Sequence, residues 1–448
     1  MDLNKIKKIH FIGIGGIGVS ALAKIMKFKG LEVTGSDLKS SEITKSLENI
    51  GIKVFYTQTK NNIDKYVDLV VKTSAVKENE ETLKAKELNI PVLKRGEFLA
   101  LISNNYKLVA VAGSHGKTTT SALIVYVLKN LGENISFNVG GILSNYNTNS
   151  NLEEEGIFVT ESDESDGSFL MLEPYIAVLN NLDPEHLDHY GSFENLKKAF
   201  KKFSDKSNMV VWNLDDKNFR SMNLEGITFG FDERADYRAL NIKENDIYSF
   251  FDLYVKNKFV RKIKVPLKGI YNIYNVLGVI AVFDMLGFDL KYIDFTGFKG
   301  VKRRSELVYK NDKKNIYFYD DYAHHPVEIE ALFKNILRKN NVVVLYQPHR
   351  YTRTRDNFKE ITEVLKLPER LIILKEYAAS EEVIKGAGAM DIFKVLDKSN
   401  YKFLAFADNK SEAQRIITEN FKENYILYSV GAGNLNEVLY SLRESLDD

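Results

Sequence analysis

Lys107 to Leu131 reads KLVAVAGSHGKTTTSALIVYVLKNL. Lys107 to Ala112 is a short apolar run of strand character, and Gly113-Ser114-His115-Gly116 is a turn. Thr118 to Leu131 is a helix, apolar on too many sides to lie on a surface. Strand, glycine turn, then Lys-Thr opening a helix is the layout of a phosphate-binding loop. The N–H groups at the helix start have no helical carbonyl to bond, and the helix dipole makes their focus favour an anion. Gly113 and Gly116 lack a β-carbon and let the backbone come close. Lys117 can reach the β- and γ-phosphates, and the Thr118 hydroxyl can ligate the accompanying magnesium. The commonest form, G-x-x-x-x-G-K-[ST], needs a glycine where this chain has Val111; here the pattern is the tighter G-x-x-G-K-T-T. An ordinary β–α turn is the bland alternative. A Gly-Lys-Thr between a buried strand and a buried helix is rarely accidental, so the stretch is read as a nucleoside triphosphate site.

Upstream, Lys8 to Ile12 reads as a strand, followed by Gly13-Ile14-Gly15-Gly16-Ile17-Gly18 and a helix over Val19 to Lys29. A second strand, Glu32 to Thr34, ends at Gly35-Ser36-Asp37, placing an acid 24 residues after the first glycine. This is a βαβ unit with G-x-G-x-x-G. Taken alone it indicates NAD, but any diphosphate can sit on that helix N-terminus. Asp37 is as well suited to capping the next turn as to holding a ribose. Leu69 to Thr73 and Ile90 to Leu93 are further strands, with a loop at Ser74, a helix over Glu80 to Leu88, and Arg95 following. The polar Ser103-Asn104-Asn105-Tyr106 marks a domain boundary.

Downstream, the strand Ile157 to Thr160 leads into Glu161-Ser162-Asp163-Glu164-Ser165-Asp166. Acids crowded at a strand end repel one another unless a cation or a helix N-terminus holds them; a solvated acidic loop is the other reading. The strand Ile176 to Leu182 ends in Asp183-Pro184-Glu185-His186-Leu187-Asp188-His189. Carboxylates and a histidine here, with acids after the neighbouring strand, suit a hard metal that also touches phosphate oxygens. Residues 240–268 alternate apolar and polar and read as antiparallel β structure. Asn272 and Asn275 share one face of a helix running to Met285, where they can read an adenine edge or simply satisfy a cap and the core.

From about residue 302 a third α/β pattern begins, with strands at Asn315 to Tyr319, Val342 to Tyr346, Leu371 to Leu374, Phe403 to Phe406 and Tyr425 to Ser429. Helices between them predict a mostly parallel sheet. Ligands in such sheets collect at the strands' C-terminal ends. Three polar clusters fall there: Asp320 to Pro326, Gln347 to Arg353, and Gly431 to Asn434. Arg350 and Arg353, at a helix start, can clamp one carboxylate in bidentate fashion or form a surface ion-pair set.

Composition sets limits. At 448 residues the chain suits about three domains. With 44% hydrophobic and 27% charged residues it resembles an ordinary globular protein. A net charge of +1 with interspersed signs gives no footprint for nucleic acid or an anionic membrane. The absence of cysteine excludes disulfides, thiolate metal sites and a cysteine nucleophile. No apolar run approaches the roughly 18 residues of a membrane span, and a strand starts too early for a signal peptide, so a cytoplasmic location is expected.

The chain closely resembles the Mur ligases, from Gly13 to Gly433, through GIGGIG, GSHGKTTT, ESDESDGSF, EHLDHYGSFENLK, YNIYN, RRSE, DDYAHHP, QPHRYTRT, YAASE and GAGN in order. The resemblance implies an α/β protein of three domains. These are an N-terminal Rossmann-like domain for a UDP-sugar (residues 1–103), a central P-loop ATPase α/β domain (104–301), and a C-terminal Rossmann-like domain with a mostly parallel sheet for the amino acid (302–448). It implies that Gly13, Gly15, Gly16, Ile17 and Gly18 hold a UDP diphosphate rather than NAD, with Asp37, Ser74 and Arg95 near the UDP-sugar. Gly113, Ser114, His115, Gly116, Lys117, Thr118 and Thr119 hold ATP phosphate, Asn272, Asn275 and Arg304 contact the nucleotide, and Asp321 lies at its ribose or its magnesium waters. Thr118, Glu161 and His186 are the implied metal ligands. His324, His349, Arg350 and Arg353 engage the incoming amino acid. Three positions depart from the family pattern: Tyr271 for a histidine, Glu185 for an aspartate, and Lys375 for an acid. Lys201 lies near the place where related ligases carry a carbamylated lysine.

The implied activity is ATP-dependent joining of L-alanine to the lactyl carboxylate of UDP-N-acetylmuramate through an acyl phosphate, for cytoplasmic peptidoglycan precursor synthesis, with Mg2+ as cofactor. Lys117, His324 and Arg353 are expected to carry the chemistry, with His324 as base because a histidine titrates near working pH. The partners are these small molecules, with no nucleic acid and no membrane, in a monomer or homodimer. Three rivals remain: a murein-tripeptide recycling ligase of the same family, a Rossmann oxidoreductase, which leaves the GKTTT loop idle, and a P-loop regulatory NTPase, which explains that loop alone.

Overall fold

The computed structural model describes residues 3–73, 76–245, 247–379 and 381–447, so Ser74 lies outside the described residues. The chain divides into two compact units, Met1–Gly300 and Val301–Asp448.

The first unit carries two sheets. Strands β1 (Lys8–Ile12), β2 (Glu32–Ser36), β3 (Lys53–Phe55), β4 (Leu69–Lys72) and β5 (Val92–Lys94) form a parallel sheet in the order β3-β2-β1-β4-β5. The chain winds away from β1 in both directions, so a crevice opens at the C-terminal ends of β1 and β4. The GIGGIG turn sits there, leading into the helix Ile17–Phe28.

The second sheet has ten strands: β6 (Lys107–Ala112), β7 (Ile135–Leu143), β8 (Thr148–Asn151), β9 (Ile157–Glu161), β10 (Ile176–Leu179), β11 (Met209–Asn213), β12 (Ile227–Gly230), β13 (Tyr237–Glu244), β14 (Ser249–Val255) and β15 (Lys258–Val265). Their order is β15-β14-β13-β12-β11-β10-β6-β9-β7-β8. The middle of the sheet is parallel, while β14 and β15 extend it antiparallel as the alternation of residues 240–268 predicts. β6 lies between β9 and β10, so the loops leaving all three emerge side by side. The helix Lys117–Asn130 is buried along most of its length and packs on the more apolar helix Ile270–Met285.

One hydrophobic cluster runs through both sheets of this unit, from Phe11 and Phe98 to Phe169, Phe200 and Phe203. Phe169 is 1% exposed, with ring centroids 5.3 Å from Phe200 and 5.0 Å from Phe203. The helix Arg95–Ser103 comes down on the turn Ser168–Met171 so closely that a Cβ on Gly96 would lie 2.2 Å from that of Ser168. Glycine at 96 is therefore a packing requirement.

The second unit has one sheet, with strands β16 (Glu306–Asn311), β17 (Ile316–Asp321), β18 (Val342–Tyr346), β19 (Arg370–Leu374), β20 (Phe403–Ala407) and β21 (Tyr425–Val430) in the order β16-β17-β21-β18-β19-β20. It is parallel except for β16, an antiparallel edge strand too weakly apolar to stand out in the sequence. β21 inserts between β17 and β18, which sets the three polar clusters next to one another.

Phe169→Ala should destabilise the first unit by about 3 to 5 kcal/mol, the usual cost of emptying a buried phenylalanine site. Urea unfolding should show reporters on both of its sheets shifting together; independent transitions for the two sheets would contradict a shared core.

Candidate active site

The strand-to-helix turn after β6 is held from beside it. β10 ends at Leu179, three residues sooner than the sequence suggests, and the residues that leave the sheet grip the turn. Asn181 accepts from the Ser114 N–H through its carbonyl (3.0 Å) and from the His115 N–H through Oδ1 (2.7 Å), and its Nδ2 donates to the His115 carbonyl (3.1 Å). Two of the turn's N–H groups thus already have partners. The N–H groups of Lys117, Thr118 and Thr119 precede the first helical bond, which runs from Thr120 N–H to Gly116 O at 2.9 Å. Gly116 has φ 83°, and a Cβ there would lie 2.4 Å from Asn275 Oδ1. That close approach brings the asparagine pair against the turn. The pair's amides are joined, Asn275 Nδ2 to Asn272 Oδ1 at 3.2 Å, and Asn272 Nδ2 donates to the Lys268 carbonyl at 2.7 Å.

Lys117 folds back over the turn. Its ammonium donates to the carbonyls of Gly113 and Ser114 and to Glu164 Oε1 at 2.9 Å. Burial alone would lower its pKa, but the carboxylates around it, Glu164 foremost with Asp163 and Glu185, together raise it above the usual lysine value. The Thr118 hydroxyl donates to Glu161 Oε2 at 3.1 Å, and the other Glu161 oxygen accepts from the Gly140 N–H at 2.5 Å.

The acids after β9 are thus held by the protein's own donors. Lys117 takes Glu164, and Arg95 takes Asp163 at 2.7 Å. Burial works to raise the Asp163 pKa, and the Arg95 charge with the Ser165 bonds brings it below the usual value. In the sequence Glu164 is only one acid of a crowded loop; its pairing with the loop lysine comes from β9 and β6 being neighbours.

His186 has a left-handed backbone, φ 55°, strained for a non-glycine residue. Its ring lies with Glu164 and Glu185, and ligand atoms of the three are all within 4.8 Å of one another. Of the expected metal ligands, Thr118 and Glu161 are joined directly, while His186 belongs to this second group. Oxygen-rich donor sets of this kind fit a hard divalent cation such as Mg2+ or Mn2+. Lys201 pairs with Asp205 one helical turn away.

At the first sheet's crevice, Gly13 and Ile14 donate to the Ser36 carbonyl at 2.8 and 3.0 Å. Gly16 caps the helix that begins at Ile17, and a Cβ on Gly18 would lie 3.2 Å from Arg95 Cδ. Asp37 Oδ2 accepts from the Gly15 N–H at 2.8 Å, so this acid braces the glycine turn.

In the second unit, Asp321 is buried at the end of β17 and accepts from Ser305 N–H (2.8 Å), Ser305 Oγ (2.9 Å) and Ala323 N–H (2.8 Å). Burial raises its pKa despite the Arg304 charge. Arg304 lies over the Tyr322 ring, 5.5 Å from its centroid, and 3.9 Å from Glu328. His324 and His349 come together, ring centroids 6.3 Å apart. His324 Nδ1 lies 3.0 Å from the Tyr322 carbonyl. A carbonyl only accepts, so Nδ1 bears the proton and Nε2 the lone pair. His349 Nδ1 lies 2.9 Å from Arg353 NH1, a donor, so it is the acceptor there. Its ring stacks on Tyr377 at 4°. Arg350 is engaged by Glu381 at 2.7 Å, so each of the two arginines has its own partner and they do not form one open clamp. Lys375 lines a cavity of about 480 Å³ with Gln347, Tyr377, Lys410 and Asn434.

Burial lowers the His324 pKa to about 4, and burial with the Arg353 charge lowers that of His349 to about 3. The expectation that His324 titrates near working pH is corrected: desolvation of the imidazolium outweighs the attraction of Glu328.

A Rossmann-like layer, a phosphate loop on a largely parallel sheet and a second α/β unit gathering histidines and arginines at its strand ends define a multi-domain nucleotide-dependent enzyme. The chain belongs to the Mur ligase family. Residues 8–107 match the Mur ligase family catalytic domain, 111–283 the Mur ligase middle domain, and 303–433 the Mur ligase glutamate ligase domain. It is 39% identical to the UDP-N-acetylmuramate–L-alanine ligase of Carboxydothermus hydrogenoformans, over 98% of this chain and 97% of that protein. It is 40% identical to that of Dictyoglomus turgidum, over 96% and 95%. The crystal structure of the Thermotoga maritima UDP-N-acetylmuramate–alanine ligase superimposes with a TM-score of 0.85 at 30% identity, covering 98% of this chain and 99% of that one.

Both rings are neutral in the fold and charge more readily when unfolded, where the usual value is about 6.5. Their contribution to stability is therefore present above that pH and lost as pH falls toward the depressed values. The melting temperature of the second unit should drop between pH 7 and 4.5, and His349→Gln should flatten the drop. An acid dependence unchanged by that substitution would contradict the burial argument.

Proposed function

We propose that the chain joins L-alanine to the lactyl carboxylate of UDP-N-acetylmuramate at the expense of ATP, for peptidoglycan precursor synthesis. One observation carries the reading: a lysine-bearing phosphate loop with its own acid partners lies in a chain similar, end to end, to proteins named for that ligation.

A carboxylate and an amine do not condense in water, because the oxygen to be expelled is a poor leaving group. A lactyl carboxylate oxygen attacks the γ-phosphorus, the bond to the β–γ bridging oxygen breaks, and ADP departs. The resulting acyl phosphate is attacked at its carbonyl carbon by the alanine amine, the carbon–oxygen bond to phosphate breaks, and the amine proton leaves. Gly113 to Thr119, with Asn272, Asn275, Arg304 and Asp321, hold the nucleotide. The Lys117 ammonium balances charge on the transferring phosphoryl. Thr118, Glu161 and His186, joined by Glu164 and Glu185, are the groups to hold Mg2+, which supplies Lewis-acid stabilisation of phosphate oxygens when bound. Gly13, Gly15, Gly16, Ile17 and Gly18, with Asp37, Ser74 and Arg95, serve the UDP-sugar. His324 offers the Nε2 lone pair to the amine proton. With a pKa of about 4 it holds that proton only briefly and passes it on. His349 fixes Arg353 for the amino-acid carboxylate, and Arg350 supports it from the Glu381 pair. Residues 1–103, 104–301 and 302–448 divide the three tasks of sugar, nucleotide and amino-acid binding.

Phosphate release from ATP should require UDP-N-acetylmuramate and be greatest with L-alanine among single amino acids. Release driven instead by a murein tripeptide, or by neither substrate, would reassign the chain. Lys117→Ala should lower the rate at least about 100-fold; normal turnover would remove the loop from the chemistry. Arg353→Ala should raise KM for the amino acid about tenfold, the effect of one charge-assisted bond, with a smaller change in kcat. An unchanged KM would take Arg353 out of that role.

A further inference from the structure

An ammonium has three N–H donors, and those of Lys117 meet three acceptors: the Gly113 carbonyl, the Ser114 carbonyl at 3.2 Å and Glu164 Oε1 at 2.9 Å. A phosphate oxygen can therefore bond Lys117 only by displacing one of them. The two carbonyls belong to the turn that Asn181 grips, so they are fixed. Glu164 is the partner that can yield.

Its displacement has a consequence. Glu164 is 2% exposed, and its Oε2 is buried with no hydrogen-bond partner. Its backbone carbonyl accepts from the Tyr190 hydroxyl at 2.6 Å, and the preceding Asp163 is tied to Arg95. The carboxylate cannot swing out to water, and a buried carboxylate deprived of its counter-charge is costly. A second cation position lies beside it: His186 Nε2 is 3.9 Å from Glu164 Oε1, and Glu185 completes the group within 4.8 Å.

We propose that Glu164 is a gate on the phosphate loop, holding Lys117 until a nucleotide phosphate takes it and then passing to a divalent cation shared with Glu185 and His186. The proposal rests on the loop being the nucleotide site and adds a condition to it: nucleotide and cation must arrive together. Bound without a cation, the nucleotide strands Glu164; bound without a nucleotide, the cation competes with Lys117 for the same carboxylate. The coupling is reciprocal, as linkage requires.

Two variants of the full chain test this, read by binding rather than turnover. In EDTA, Glu164→Gln should bind a fluorescent ADP analogue about tenfold more tightly than the parent, because the competitor for Lys117 has lost its charge. With saturating Mg2+ that advantage should vanish. Equal or weaker binding in EDTA would overturn the gate, and so would an equal gain with and without Mg2+, which would mark a general charge effect. Lys117→Met, without nucleotide, should bind Mn2+ about tenfold more tightly than the parent by electron paramagnetic resonance; unchanged affinity would refute the handover. If the parent itself bound no ADP with Mg2+, the nucleotide reading would fall, and the Mn2+ comparison would still decide whether Glu164 exchanges lysine for a cation.

Discussion

A lysine ammonium held by a buried carboxylate is the constraint to which most of this site answers. Lys117 must sit at the first turn of a helix to serve a phosphate, and it is half-buried at the head of a helix whose following turns are buried. A charge there needs a partner. Glu164 supplies it because β9 lies directly beside β6, so the acids that follow one strand reach the lysine that follows the other. The strength that makes the pair tolerable in the fold also makes Glu164 a competitor of phosphate.

The same acidic loop reaches the other way. Asp163 is tied to Arg95, whose side chain lies against the glycine turn of the first sheet. One short segment thus touches the groups proposed for the UDP-sugar on one side and for the nucleotide on the other. The cluster through Phe98, Phe169 and Phe200 makes that connection stiff. Close packing transmits displacement, since a filled core has little room to absorb it.

In the second unit the governing effect is desolvation. His324 and His349 are kept neutral by burial and by a nearby guanidinium, so each can accept a hydrogen bond or a proton, yet neither carries charge of its own. The positive charge at that edge belongs to the arginines. His349 serves by accepting from Arg353, and Tyr377, stacked on its ring, fixes the plane of that contact.

Much of this was legible in the residues. Periodicity and glycine turns located β1, β6, β9 and β18 to the residue or nearly so, because buried parallel strands are unbroken apolar runs. The polar clusters at strand ends were legible too, since polar residues directly after such a run mark where the chain leaves the sheet. The short or edge strands β3, β8 and β16 were not, because such strands carry little apolar signal, and the interior strand β7 was hidden by the Ser136, Asn138, Gly140 and Gly141 that interrupt its apolar residues. Pairings between distant loops were beyond reach as well. Nothing in the spacing says that Lys117 meets Glu164 or that Asn181 grips His115, nor that Asp37 turns back to the Gly15 N–H or Arg350 to Glu381. By itself the chain determined which chemistry is present and on which kind of element. Strand order, a long-range outcome of packing, decided which charges face each other, and burial decided which of them keep a proton.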